Sequence, residues 1–266
     1  MDDFELDLAA LTDVGTERDH NEDACGTFAE EAGRAVAVVA DGVSMAQAGE
    51  VASQLAVEVL LRAYREEPAG SPAQRLYRAF QQANIEIYDR AVAVPELRGM
   101  TTTLTAVVVD RGEVTAVHAG DSRLYLVRDG VATQLTKDHT AAAEKVRYGI
   151  MSKERALTHP DRSVLTRSVG RELIVSRDRL SQRLRQGDLL LLCSDGLYNV
   201  LEDRELPGLC DGRGAAEACR ALLDAANRRG TSDNLSAAVV RLAGPVPGEE
   251  AAPAGLGARL RRLLGR

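Results

Sequence analysis

Three apolar runs in this chain each stop at an aspartate beside a glycine or serine, and that repeated ending constrains the fold more than any other feature. Ala35-Val36-Ala37-Val38-Val39-Ala40 ends at Asp41-Gly42, Val114 to Ala119 ends at Gly120-Asp121-Ser122-Arg123, and Leu189-Leu190-Leu191-Leu192-Cys193 ends at Ser194-Asp195-Gly196. Asp233, in Ser232-Asp233-Asn234, opens a last apolar run, and Glu22-Asp23 precedes an early one. Taken singly, an Asp-Gly after a strand reads as a turn. Taken together, strands lying side by side would bring several carboxylates to one edge, where like charges about 4 Å apart repel by roughly 4 kcal/mol at an effective dielectric near 20. Something positive has to sit among them.

Histidine and cysteine are missing from these endings apart from Cys193, so the available ligands are almost all oxygen, which selects Mg²⁺ or Mn²⁺ over Zn²⁺. Two such ions sharing an aspartate can lower the pKa of a water between them and present it to phosphorus. A glycine after the shared aspartate leaves its carbonyl open to a metal. Arg18, four residues before Glu22, suits a bidentate grip on phosphate, with an ordinary surface ion pair as the other reading. His20 reads as a helper in substrate binding or proton transfer or as a surface histidine, and the four histidines show no H-x-H or H-E-x-x-H spacing.

Residues 7 to 42 and 102 to 135 read as short strands with hairpin turns at Asp110-Arg111-Gly112 and Arg128-Asp129-Gly130. Helical periodicity covers Ala46 to Tyr64 and Ser71 to Ala91, the second opened by the capping box Ser71-Pro72-Ala73-Gln74. Residues 136 to 165 form a polar excursion with short helical pieces. A strand pair is expected at Leu173 to Val175 and Asp188 to Cys193, then a helix from Ala215 to Asn227 and a strand from Leu235 to Leu242. Strands in runs and helices grouped apart predict an α+β fold with two central antiparallel sheets flanked by helices, an α/β/β/α sandwich.

With 33 Lys plus Arg against 40 Asp plus Glu, the net charge of −7 excludes a basic nucleic-acid binder. Cys25, Cys193, Cys210 and Cys219 form no C-x-x-C pair, which suits a reducing compartment. The acidic N-terminus is unlike a signal peptide, and no apolar run approaches a membrane span of ~20 residues, so a soluble cytoplasmic protein is expected. Residues 243 to 254 read as a linker. Leu256, Leu260, Leu263 and Leu264 then make an apolar stripe among arginines, either a frayed tail or a weak contact of residues 255–266 with a membrane or a partner.

In order, the motifs Gly15-Thr16-Glu17-Arg18-Asp19-His20-Asn21-Glu22-Asp23, Val39-Ala40-Asp41-Gly42, Gly99-Met100-Thr101-Thr102-Thr103, Gly120-Asp121-Ser122-Arg123, Leu135-Thr136-Lys137-Asp138-His139, Cys193-Ser194-Asp195-Gly196-Leu197 and Ser232-Asp233-Asn234 resemble those of the metal-dependent PPM-type serine/threonine protein phosphatases, also called the protein phosphatase 2C family. The resemblance implies a phosphatase domain over residues 1–242, with 243–266 as linker and short basic amphipathic tail. It implies two Mn²⁺ or Mg²⁺ ions bridged by Asp41, with the Gly42 carbonyl beside them. Asp195 and Asp233 would complete the first ion, Glu22 would serve the second with Asp23 alongside, and Asp121 with Asp195 would hold a third. Arg18 matches the phosphate-binding arginine, and residues 139 to 165 match the family's mobile flap. Two departures are Val43-Ser44-Met45 after Asp41-Gly42 and Thr101 where bacterial members usually carry glycine; the histidine that animal members place after Asp-Gly, a proposed general acid, is Val43 here. The implied activity is hydrolysis of phosphoserine and phosphothreonine in proteins by direct attack of a metal-bridged water, opposing a bacterial serine/threonine kinase. A non-catalytic module of the same fold that binds a phosphoprotein or kinase is the alternative, and a narrow-substrate phosphatase in a partner-switching circuit is a further one.

Overall fold

The hairpins form where the turn residues take left-handed backbone: Arg111 and Gly112 at φ 50° and 85°, Asp129 and Gly130 at φ 52° and 76°. Two successive positive φ angles give the turn whose twist matches that of the flanking strands. The computed structural model describes residues 5–30, 33–43 and 48–244. The strands are β1 (Leu6–Asp13), β2 (Asp23–Glu30), β3 (Arg34–Val43), β4 (Thr101–Thr102), β5 (Leu104–Asp110), β6 (Glu113–Ala119), β7 (Arg123–Arg128), β8 (Val131–Gln134), β9 (Asp178–Arg183), β10 (Leu189–Cys193) and β11 (Leu235–Leu242). The helices are α1 (Ala48–Glu66), α2 (Pro72–Ala93), α3 (Ala141–Arg147), α4 (Lys153–Leu157), α5 (Asp195–Tyr198), α6 (Leu206–Cys210) and α7 (Ala215–Arg228).

Every strand pairing is antiparallel, in one sheet ordered β1-β11-β10-β7-β8 and a second ordered β2-β3-β5-β6-β9, with β4 added against β3. Strand alternation divides the apolar residues into three layers. Val36, Val38 and Ala40 of β3 face α1 and α2, whereas Ala37 and Val39 meet Leu190, Leu192, Ala238 and Val240 between the sheets. Leu189, Leu191 and Cys193 face α7 on the far side. The expected α/β/β/α sandwich is therefore what folds. The Ser71 capping box forms as expected, with Pro72 in the first turn of α2.

The expected strand at Leu173 to Val175 is wrong. Leu173 and Ile174 are 51% and 76% exposed, and the Leu173 carbonyl accepts side-chain hydrogen bonds from Gln81 and Asn84 of α2 instead of ladder bonds. The strand is β9, whose sequence Asp-Arg-Leu-Ser-Gln-Arg carries little apolar signal because it is a half-exposed strand at the edge of its sheet. Nor do β9 and β10 pair, since they lie in different sheets. The first two residues of the expected helix from Ala46, the Ser44-Met45 departure and the tail at 255–266 fall outside the described residues. Among the described residues no helix is long and apolar enough to cross a membrane.

Candidate active site

The alternation that buries Ala37 and Val39 between the sheets carries Asp41 to the same face, one step beyond the apolar core. The same parity places Asp23 and Thr105, and on the opposing sheet Ser194 and Ser236, so the inter-sheet layer ends in polar side chains. Asp23 and Asp41 are directly opposite in the β2–β3 register. Gly42 N donates to the Glu22 carbonyl at 2.9 Å, which makes Asp23 and Asp41 a non-hydrogen-bonded pair, the kind whose side chains approach to about 5 Å. β3 does not stop at Asp41, because β4 pairs with Gly42 and Val43.

Backbone and hydroxyl groups pin these acids. The Asp41 N–H donates to Thr103 Oγ1 at 2.9 Å, and the Asp41 carbonyl accepts from Thr102 Oγ1 and from Thr103 N, both at 2.8 Å. Thr103 Oγ1 also meets Ser122 Oγ at 2.6 Å, beside Asp121. Ser194 Oγ donates to Asp23 Oδ2 at 2.5 Å. Asn234 clamps the first loop: its Oδ1 accepts from Glu22 N, and its Nδ2 donates to the Val14 and His20 carbonyls, each at 2.9 Å. Asp195 opens α5, where Asn199 Nδ2 donates to its Oδ2 at 3.1 Å. Tyr198 OH donates to the Asp121 carbonyl at 3.1 Å. A Cβ on Gly42 would stand 2.2 Å from the Gly49 carbonyl oxygen, so only glycine lets α1 start this close to the site.

Electrostatics mark the place. Burial, then the charges of Asp23, Asp195, Asp121 and Asp233, hold the Asp41 carboxyl well above its ordinary value. Burial pushes Asp23 up to about 7, opposed by the Ser194 hydrogen bond, and burial with the Asp233 charge pushes Asp195 up to about 6. Burial and Asp195 raise Asp121, and burial raises the partly buried Glu22 despite Arg18. A cleft of about 830 Å³ between α3–α4 and α5 reaches Asp121 and Asp195.

Arg18 makes its ion pair with Asp233, Nη2 to Oδ1 at 2.9 Å, while its Nε donates to the Ser232 carbonyl at 3.1 Å. His118 and His139 stack with ring centroids 4.7 Å apart, and His118 is held by Thr105 and the Lys137 carbonyl.

Among the described residues no three acidic, histidine or cysteine side chains already meet at metal-coordination distance. The donor set nevertheless fits a hard divalent cation: Asp23, Asp41, Asp121 and Asp195 are oxygen donors whose proton affinity is raised by burial and by neighbouring carboxylates, the charge of Asp233 acting on Asp23, Asp41 and Asp195. Thr103, Ser194 and Asn234 act as supports that the sequence signalled only as members of motifs, and Asn199 lies outside every motif, since nothing in a polar side chain's sequence position says which carboxylate it faces.

Comparison with known proteins identifies the family. The family profile described as Protein phosphatase 2C matches residues 16–241. Serine/threonine phosphatase stp of Listeria monocytogenes is 37% identical over 234 residues, covering 86% of this chain and 93% of that protein. The crystal structure of the Mycobacterium tuberculosis serine/threonine phosphatase PstP/Ppp superimposes with a TM-score of 0.80 at 36% identity, covering 89% of this chain and 98% of that one. A crystal structure of the PstP catalytic domain in complex with two manganese ions gives a TM-score of 0.78 at 34% identity, covering 89% and 97%. This chain belongs to the protein phosphatase 2C family, the PPM-type serine/threonine phosphatases, and is a phosphoprotein phosphatase.

Proposed function

We propose that the chain removes phosphate from phosphoserine and phosphothreonine side chains by direct water attack, without a phosphoenzyme, and that it reverses a serine/threonine kinase in the cytoplasm. The observation that carries this reading is the set of mutually perturbed carboxylates at the end of the sandwich, Asp41 at its centre. Asp41 would be shared by two divalent ions, with the Gly42 carbonyl as a further oxygen donor. Asp195 and Asp233 would complete one ion, Glu22 with Asp23 the other, and Asp121 with Asp195 a third. Bound Mn²⁺ or Mg²⁺ would supply an activated water and draw charge from the phosphoryl oxygens. Arg18, the exposed cation at the rim, would exchange Asp233 for phosphate and hold it in a bidentate fork. Cys193 is buried on the face against α7, its thiol pushed up to about 12, which speaks against a thiolate nucleophile. Four free cysteines support a reducing compartment. Residues 1–242 would carry this activity, with 243–266 as an appendage.

The test is phosphate release from an aryl phosphate and from a phosphothreonine peptide, with and without Mn²⁺. Metal-dependent release by the parent, lost in Asp41→Asn, is the expected result. Equal behaviour of parent and Asp41→Asn would favour a binding module of the same fold.

A further inference from the structure

A second cavity, a groove of about 680 Å³, reaches the end of β3, the strand that carries Asp41. It begins at Val43, the residue after Gly42, and runs between the C-terminal end of α2 and the segment that follows α4. Its walls include Tyr88 and three of the chain's exposed large apolar side chains, Val43, Val92 and Val164, at 41%, 68% and 52% exposure. Among the described residues no acidic one lines it, whereas Arg98 and Arg171 do.

Like Arg65, Arg90, Arg183 and Arg220, those two arginines are exposed and outside every ion pair among the described residues; what sets them apart is that both line this one groove. The chain has a net charge of −7, and Arg62, Arg75, Arg123, Arg128 and Arg229 each hold a carboxylate. The exposed Arg98 and Arg171 make no side-chain ion pair among the described residues. Unpaired cations over an exposed apolar floor, on an otherwise acidic protein, match a ligand that carries both an apolar and an acidic side chain. The groove starts at Val43, two residues past Asp41 on the same strand, so a chain whose phosphorylated residue reaches Asp41 would place its neighbouring residues there.

We propose that this groove binds the stretch of the substrate protein flanking the phosphorylated residue, and that it selects a segment with an acidic side chain next to an apolar one. The inference rests on the phosphatase reading for the placement of the phosphate, and on the groove alone for the sequence preference.

The experiment uses the full chain with phosphothreonine peptides that differ only in flanking residues: Asp-Leu, Lys-Leu and Asp-Ser. Aryl phosphate is the reference substrate, and fluorescence anisotropy follows binding of the unphosphorylated peptides. The parent should prefer Asp-Leu over Lys-Leu by about tenfold in kcat/KM, the scale of two exposed charge pairs, and the preference should shrink at high salt. Arg98→Glu with Arg171→Glu should erase or invert it while aryl phosphate turnover stays at the parent's level. Val92→Asp should remove the advantage of Asp-Leu over Asp-Ser. Equal turnover and equal binding of all peptides by the parent would overturn the proposal. So would variants that lower aryl phosphate and every peptide alike. Loss of aryl phosphate turnover in the parent, with charge-dependent peptide binding intact, would instead sink the phosphatase reading and leave the groove's preference standing.

Discussion

Replacing Thr103 by valine isolates what holds Asp41 in place, because the two side chains have the same shape and differ only in the hydroxyl. Thr103 Oγ1 accepts the Asp41 N–H at 2.9 Å and bonds Ser122 Oγ at 2.6 Å, and Thr103 and Ser122 are both buried. Valine strands one buried N–H and one buried hydroxyl, at about 1–3 kcal/mol each. The sum, about 2–6 kcal/mol, corresponds to a Tm lowered by roughly 4–24 °C for a domain of this size. Thr103→Ser keeps the oxygen and loses a methyl that packs where Gly120 comes close, a cost of about 1 kcal/mol. Because Asp41 is the residue proposed to join both ions, valine should also weaken metal activation by about 10- to 100-fold, the range for partners that orient a ligand, and serine should not. The assay is Mn²⁺ titration of aryl phosphate hydrolysis, paired with calorimetry in chelator. A valine variant that loses stability yet titrates with Mn²⁺ like the parent would refute the positioning role, since the hydroxyl would then matter only to the core.

Other substitutions probe the same site from different sides. Asp23, pushed up to about 7 in the fold against an ordinary 3.8, binds a proton more tightly folded than unfolded, so its contribution to metal-free stability is lost as pH rises from about 4 through 7. His118, pushed down to about 4, and His139, also lowered, act in the opposite sense below pH 6.5, so the parent-minus-variant difference is the quantity to follow. In chelator, Asp23→Asn should gain on the parent by about 3–5 °C in Tm per pH unit across that window; a constant gap would contradict it. Arg18→Ala should raise KM for phosphopeptide about tenfold, with Arg18→Lys recovering part of it, and an unchanged KM would return Arg18 to an ordinary surface pair. Gly42→Ala drives a methyl into the Gly49 carbonyl and should cost at least 1–3 kcal/mol together with metal activation, read by melting and Mn²⁺ titration.

Much of this molecule was legible in the one-dimensional pattern. The continuous apolar runs Ala35–Ala40 and Leu189–Cys193, two hairpin dipeptides that accept positive φ and the Ser71 capping box are local signals, and each decided its own element as expected. Where the local signal was misleading, tertiary contacts had the last word. Leu173–Val175 looks like a strand but the Leu173 carbonyl is claimed by Gln81 and Asn84, while the polar β9 becomes a strand because β6 offers it a free edge. The carboxylates followed the same division. Their type and their positions at the ends of apolar runs pointed to oxygen ligation, and the family motifs named Asp41, Asp195 and Asp233.

That Asp23 stands opposite Asp41 depends on the register of β2 on β3, and that Thr103 and Ser194 hold them and Asn234 fastens the loop bearing Glu22 depends on segments far apart in the chain. A residue's chemistry is written in its identity, and its period along the chain fixes which face it takes. Which partner it meets across a sandwich is set only when two sheets pack, because that contact is chosen by the burial of every other side chain in the layer.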